Sequence, residues 1–248
     1  MRRLLSILTF CTLATLAISA FAQTTVIGRT TVLGAAGTTI LTASSATGGI
    51  ALISHTCLYG EDCDSSIVTT GATLLVAQCV ATSVSAPTDT LGNTFSTAFA
   101  TPYTLDGWEY QYYYVSSPVT GSDSWTMPRG ESCTFSTWSG TKTSGVVDTG
   151  AQNGTGYTSS GTTSYHAGAV TPSQTNELLL LLVQTAGSSV HPLTIDNSCT
   201  TLDDASGYAP FIEGAYCIPS SASSINPTWT AATSSADGGA SIAGFEHP

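Results

Sequence analysis

The run Leu178-Leu179-Leu180-Leu181-Leu182-Val183 decides the fold class. Six apolar side chains in a row leave no polar face in either a helix or a half-exposed strand. Pro172 and Asn176 precede the run and Gly187 follows it. A helix would therefore have room for only about three turns. A strand fits the space better, and a strand covered on both faces shows no alternation. The expected element is Glu177–Gln184, either a central strand or one that enters the core at a bend.

The rest of the chain reads the same way. Short runs rich in Val, Ile, Thr, Tyr and Phe alternate with Gly, Ser, Asn and Pro. An entry hairpin is expected from Thr24–Val32 and Thr38–Ala43 around Gly34-Ala35-Ala36-Gly37. Further strands are expected at Ile50–Cys57, Ile67–Val68, Thr73–Ala81, Trp108–Val115, Ser124–Pro128 and Cys133–Trp138. Others follow at His166–Val170, Thr194–Ile195, Ala209–Ile218, Thr228–Thr230 and Ala240–Phe245. Gly145–Gly168 reads as a long surface connection, and Asn153-Gly154-Thr155 within it is a glycosylation acceptor pattern. About a dozen strands suffice for two packed antiparallel sheets. The expected class is an all-β, two-sheet antiparallel sandwich, jelly-roll-like and stapled by disulfides.

Composition excludes several function classes. The chain has 248 residues, 8% of them charged, with 5 Lys+Arg against 16 Asp+Glu. Such an acidic chain offers no electrostatic footprint to nucleic acid or to an anionic membrane surface. Ser and Thr make up about 30% of the residues, and Thr suits a water-facing strand because it is both β-branched and polar.

Residues 1–22 read as a secretory signal, with basic Arg2-Arg3, an apolar Leu4–Ile18 and the small-residue box Ala20-Phe21-Ala22. The expected organisation is this signal, a strand segment or hairpin over 23–48, and a sandwich domain over 49–248. Beyond the signal no apolar run is long enough to span a bilayer, so the mature chain is expected to be exported, secreted or at the cell surface, with no transmembrane segment. It would retain three cations, Arg29, Arg129 and Lys142, against sixteen acids, a net charge of −13.

Six cysteines remain after the signal: Cys57, Cys63, Cys79, Cys133, Cys199 and Cys217. An even number in an exported chain favours disulfides. The expected pairs are Cys57–Cys63, Cys79–Cys133 and Cys199–Cys217. No C-x-x-C pair is present to argue for zinc.

Three kinds of chemistry find candidates. Trp108, Tyr110, Tyr112 and Tyr114 share one face of an alternating strand. That row is either core, adhesive cladding, or a stacking platform for sugar rings. Glu61, Asp62 and Asp64 cluster beside Cys63, and Asp203-Asp204 forms a second acidic pair. Calcium takes oxygen ligands from such loops, though no EF-hand spacing is present and a solvated loop explains the acids equally. Hydrolysis finds the least support. There is no G-x-S-x-G elbow, and His55, His166, His191 and His247 stand apart from any nucleophile motif. Glu109, Glu131, Glu177 and Glu213 are available for a carboxylate pair of a glycoside hydrolase or an acid protease.

Five pieces carry a resemblance. They are Ile50-Ala51-Leu52-Ile53-Ser54-His55 with the strand after it, Asp89-Thr90-Leu91-Gly92-Asn93-Thr94-Phe95, the aromatic strand with Phe135–Gly140, Thr175-Asn176-Glu177-Leu178-Leu179-Leu180, and the Trp229–Phe245 ending. Together, over about Gly49 to Phe245, the chain resembles the secreted β-sandwich modules of Ig-like or jelly-roll type found in soil-dwelling bacteria. Many of those carry Glu-Tyr-Ser-Gly where Thr137-Trp138-Ser139-Gly140 stands here, so a role of that Glu would be missing. The resemblance implies a fold and an extracellular setting, and no reaction.

The expected function is non-catalytic: adhesion or self-assembly outside the cell, with the Thr24–Ala43 segment donating a strand to a neighbour. Partners would be carbohydrate, protein or further copies of the chain, with no cofactor apart from the calcium alternative. A carbohydrate-binding module on the aromatic row and a secreted hydrolase are the alternatives.

Overall fold

The computed structural model describes residues 30–33, 39–42, 49–59, 64–105, 107–128, 130–158, 162–186, 193–205, 211–235 and 238–248. The described residues form strands throughout and hold no helix. Among the described residues, therefore, no helix is long and apolar enough to cross a membrane. All strand pairings are antiparallel.

Two main sheets stack on each other. The first runs in the order β3 (Ala51–Tyr59), β11 (Ser132–Ser139), β5 (Leu74–Ala81), β9 (Trp108–Ser116) and β7 (Ser96–Thr97), with β8 (Tyr103–Leu105) also on β9. The second runs β12 (Val147–Thr158), β19 (Gly238–Phe245), β14 (Leu178–Thr185), β17 (Phe211–Cys217) and β16 (Thr200–Ala205). Each carries a small sheet on its outer face. For the first this is β4 (Asp64–Val68), β10 (Ser122–Thr126) and β6 (Thr88–Asp89). For the second it is β13 (Thr162–His166), β18 (Thr228–Ser235) and β15 (Thr194–Ile195). The hairpin of β1 (Thr30–Leu33) and β2 (Thr39–Thr42) pairs with itself. The expected sandwich is thus present, and the outer sheets make it four layers deep.

Four layers explain the unbroken apolar strands. In β14, Leu178, Leu180 and Leu182 enter the core between the two main sheets, while Leu179, Leu181 and Val183 enter the core under the outer sheet. In β5, Leu74, Val76 and Val80 face the central core, and Leu75, Ala77 and Cys79 face the other side. Each fully buried Leu or Val contributes about 1.5–3 kcal/mol relative to exposure, so a polar residue at any of these positions would be costly.

The two halves of the chain repeat one topology. Order β3-β11-β5-β9 with outer β4-β10-β6 in the first half matches β12-β19-β14-β17 with outer β13-β18-β15 in the second. The match holds residue by residue. Trp125 pairs with Asp89 as Trp229 pairs with Ile195. The Thr90 amide donates to the Ser124 carbonyl, as the Asp196 amide does to that of Thr228. The return bonds match too: Ser124 N–H donates to Thr90 Oγ1 at 3.1 Å, and Thr228 N–H to Asp196 Oδ1 at 2.7 Å. The halves stack like the subunits of an isologous dimer, in which each contact recurs with the partners exchanged. Tyr112, whose hydroxyl donates to the Ser241 carbonyl at 2.9 Å, corresponds to Gly214. Gly214 in turn lies against Thr134, the counterpart of Ser241.

Two disulfides join strands as expected. Cys79 and Cys133 sit directly opposite each other on β5 and β11, and Cys199 is tied to Cys217 at the end of β17. The Cys57–Cys63 pairing and the Glu61, Asp62 and Asp64 cluster fall on side chains outside the described residues, as does His191.

Two expectations fail. The strand expected at His166–Val170 runs instead over Thr162–His166 as β13, and Val170 makes only an isolated bridge to Ile225. Gly145–Gly168 is not a surface connection, because β12, an edge strand on β19, and β13 occupy most of it. Its glycines hid β12. Gly154 is needed where the Tyr103 ring crosses the strand, since a Cβ there would come within 2.9 Å of the ring.

Candidate functional site

A bulge in β3 builds the site. Trp138 pairs with Leu52 and Thr137 with Ser54, so Ile53 is the extra residue. Leu52 packs in the central core and Ile53 in the outer one. Opposed residues share a face, so Ser54 follows Thr137 to the outer side and His55 turns back toward the second half. There the His55 Nδ1–H donates to Asp203 Oδ2 of β16 at 3.0 Å, both side chains half-buried.

A groove of about 540 Å3 wraps this edge. Residues 54–56 of β3, residues 66–68 of β4, Asp203 and the start of β10 line it. Both β3 and β4 are terminal strands of their sheets. Thr137 ties them together, its hydroxyl donating to the Val68 carbonyl at 2.9 Å with the Ser54 carbonyl 3.4 Å away. Five of the lining residues carry hydroxyls: Ser54, Thr56, Ser66, Thr70 and Ser122.

Sequence reasoning treated His55 as isolated. Its partner lies 148 residues away, and only the stacking of the two halves brings them together. An imidazole held by a carboxylate is also two parts of a nucleophile triad. Among the described residues, however, no hydroxyl hydrogen-bonds to the His55 ring.

The aromatic row follows the core reading. Tyr110 and Tyr112 are 0% exposed and belong to the central core, with Trp108 and Tyr114 packed half-buried against it. Tyr110 donates to Gln184 Oε1 at 3.0 Å. Burial pushes both hydroxyls above the usual tyrosine range. Tyr110 and Tyr112 fill the space between the sheets and present no face on which a sugar could stack.

Each of the four glutamates accepts a backbone amide, and Glu109 and Glu131 take the consecutive amides of Val84 and Ser85. Glu109 accepts the Val84 amide at 3.0 Å, and Glu213 accepts the Leu193 amide at 3.0 Å. Glu131 accepts the Ser85 amide at 2.8 Å beside the Cys79–Cys133 bridge, and burial pushes its carboxyl up to about 7. With the two sulfurs bonded to each other, that group offers a cation only one carboxylate. Glu177 has an acidic partner, Asp148, and both accept the Ser173 amide, at 3.1 and 2.8 Å. Sequence reading named Glu177 but missed Asp148, which lay in the segment read as a loop.

The Asp89–Thr94 turn is structural. Asp89 accepts the Asn93 amide at 2.8 Å and its side-chain amide at 2.6 Å. Gly92, at φ 73°, takes the left-handed position.

A scan against family models, a search of curated proteins and a search of solved structures each found no match to this chain.

Proposed function

We propose that this protein is exported and acts outside the cell as a non-catalytic assembly protein, with the β3–β4 groove accepting an extended strand from a second copy. One observation carries the reading. Three consecutive residues of β3 and three of β4 line the same groove. Neighbouring side chains on a strand point to opposite faces, so a cavity touching three in a row touches the strand's edge. The groove therefore offers two open edges, which is what strand addition needs. Edges are usually blocked by lysine, and past the signal the chain holds only Arg29, Arg129 and Lys142 as cations.

The donor in this reading is the segment Thr24–Ala43. Thr39-Ile40-Leu41-Thr42 is rich in β-branched residues, and the segment already forms strands β1 and β2. It carries Arg29, one of the few cations, toward a groove with Asp203 on its wall. A labelled peptide of residues 24–43 should bind a chain lacking residues 23–44, and Thr56→Lys together with Ser66→Lys should abolish binding. Equal binding to both proteins would reject the reading.

The hydroxyl lining favours a second reading, a saccharide held in the same groove by Ser, Thr, His55 and Asp203. Soluble oligosaccharide that displaces the peptide would favour it.

A further inference from the structure

We propose that Asp148 and Glu177 form a buried proton-binding site that clasps β12 to the entrance of β14 and loosens when its proton is lost. The geometry requires a shared proton. Asp148 Oδ2 and Glu177 Oε2 converge on Ser173, whose amide lies 2.8 and 3.1 Å from them and whose hydroxyl lies 3.4 Å from Glu177 Oε2. Asp148 Oδ1 has its own donor in the Gly150 amide at 2.8 Å. Glu177 Oε1 has none and is buried. It sits on Gly244 of β19, where a Cβ would come within 2.3 Å. Gly244 pairs with Asp148 on one side and with Leu179 on the other, so the two acids span β19 from its two neighbours.

Two ionised carboxylates cannot crowd onto the donors of one serine away from water without a cation or a proton between them. No cation is at hand. The 171–176 loop carries no charge, and Lys142 beside the end of β19 is committed to Glu246. Asp148 is the one charge acting on Glu177. The proton settles on Glu177, the more buried of the two, while Asp148 keeps its charge with two amide donors. In agreement, burial and the Asp148 charge push Glu177 up to about 7, whereas the donors hold Asp148 below its ordinary value. The ligand of this site is a proton.

The clasp reaches beyond the pair. Phe245, next to Gly244, packs edge-on against Tyr114 of the first half at 5.9 Å. Repulsion at the pair would be felt where β19 enters the central core.

Infrared spectroscopy of the full mature chain tests the proposal. The difference between wild type and Glu177→Gln at pH 6 isolates Glu177 from Glu131. It should contain the carbonyl stretch of a neutral carboxylic acid, and that band should be lost by pH 8. Hydrogen exchange should show β12, β14 and β19 losing protection from pH 6 to 8 in wild type, after correction for intrinsic rates, and not in Glu177→Gln. An absent acid band, or the same loss of protection in both proteins, would overturn the proposal. Should Glu177→Gln fail to fold, Asp148→Asn serves instead. It should move the midpoint of the band to lower pH, and an unmoved midpoint would count against the pair.

Discussion

Trp138 meets Tyr216 edge to face at 4.9 Å across the central interface. Tyr114 and Phe245 repeat that contact with the halves exchanged, at 5.9 Å. The register makes these one contact seen twice, since Tyr114 and Tyr216 occupy equivalent places, as do Trp138 and Phe245. The chain is built as a dimer within itself. Its groove arises at an edge where the halves meet, which is why a residue of β16 can hold His55 of β3.

The interface is sensitive to volume at its paired small positions. A Cβ on Gly214 would come within 2.8 Å of Thr134 Oγ1. Gly214→Ala should therefore destabilise by about 1–3 kcal/mol in urea unfolding. The double mutant with Thr134→Ala should recover part of that loss, because the two residues touch. Additive losses would show that the contact does not limit packing.

Tyr112 should prove structural. Tyr112→Phe removes the hydroxyl that satisfies Ser241 and should cost about 0.5–1.5 kcal/mol. Tyr112→Ala should cost about 3–5 kcal/mol by analogy with other buried aromatics. Neither should alter retention on insoluble polysaccharides once folding is controlled. A loss of retention without a loss of stability would revive the sugar platform.

Stability should fall as pH rises from about 4.5 to about 7. Glu131 and Glu177 are both pushed up from 4.5 to about 7, chiefly by burial. Over that window the folded chain binds more protons than the unfolded chain, so unfolding becomes easier as pH increases. The stability these two protonated acids confer is complete below about 4.5. A thermal melt should thus reach its highest midpoint in mild acid, and Glu131→Gln should lessen the decline toward pH 8. A midpoint that rises steadily from pH 5 to 8 would contradict this.

How much of this was legible in the sequence depended on what made each residue legible. Leu178–Val183 announced a doubly covered strand, because six apolar residues admit no exposed face. Cys79 and Cys133 could be paired once both were placed on core strands. The duplication left only faint traces, such as Ser124-Trp125-Thr126 beside Thr228-Trp229-Thr230, because packing constrains burial and volume more than residue identity. Tyr112 opposite Ser241 and Gly214 opposite Thr134 conserve the filled space while sharing no side chain. The groove was invisible for another reason. It is a property of strand edges and of the His55 and Asp203 juxtaposition, and neither has a local signal.

The Cys79–Cys133 bridge closes a separation of 54 residues within the first half. Replacing both cysteines with alanine should cost about 2–5 kcal/mol, since the unfolded chain regains the freedom the bridge removed. Chemical denaturation of the double variant measures this, and an unchanged midpoint would mean that the core alone holds β5 to β11.

Light scattering coupled to size exclusion, applied to the mature chain over a range of concentrations, puts strand donation to the most direct test. Wild type should show a mass above one chain that grows with concentration, while Thr56→Lys and the chain lacking residues 23–44 should each elute at the mass of one chain. A wild type that stays monomeric throughout, or variants that assemble as it does, would contradict the proposal that the β3–β4 groove receives a neighbour's strand.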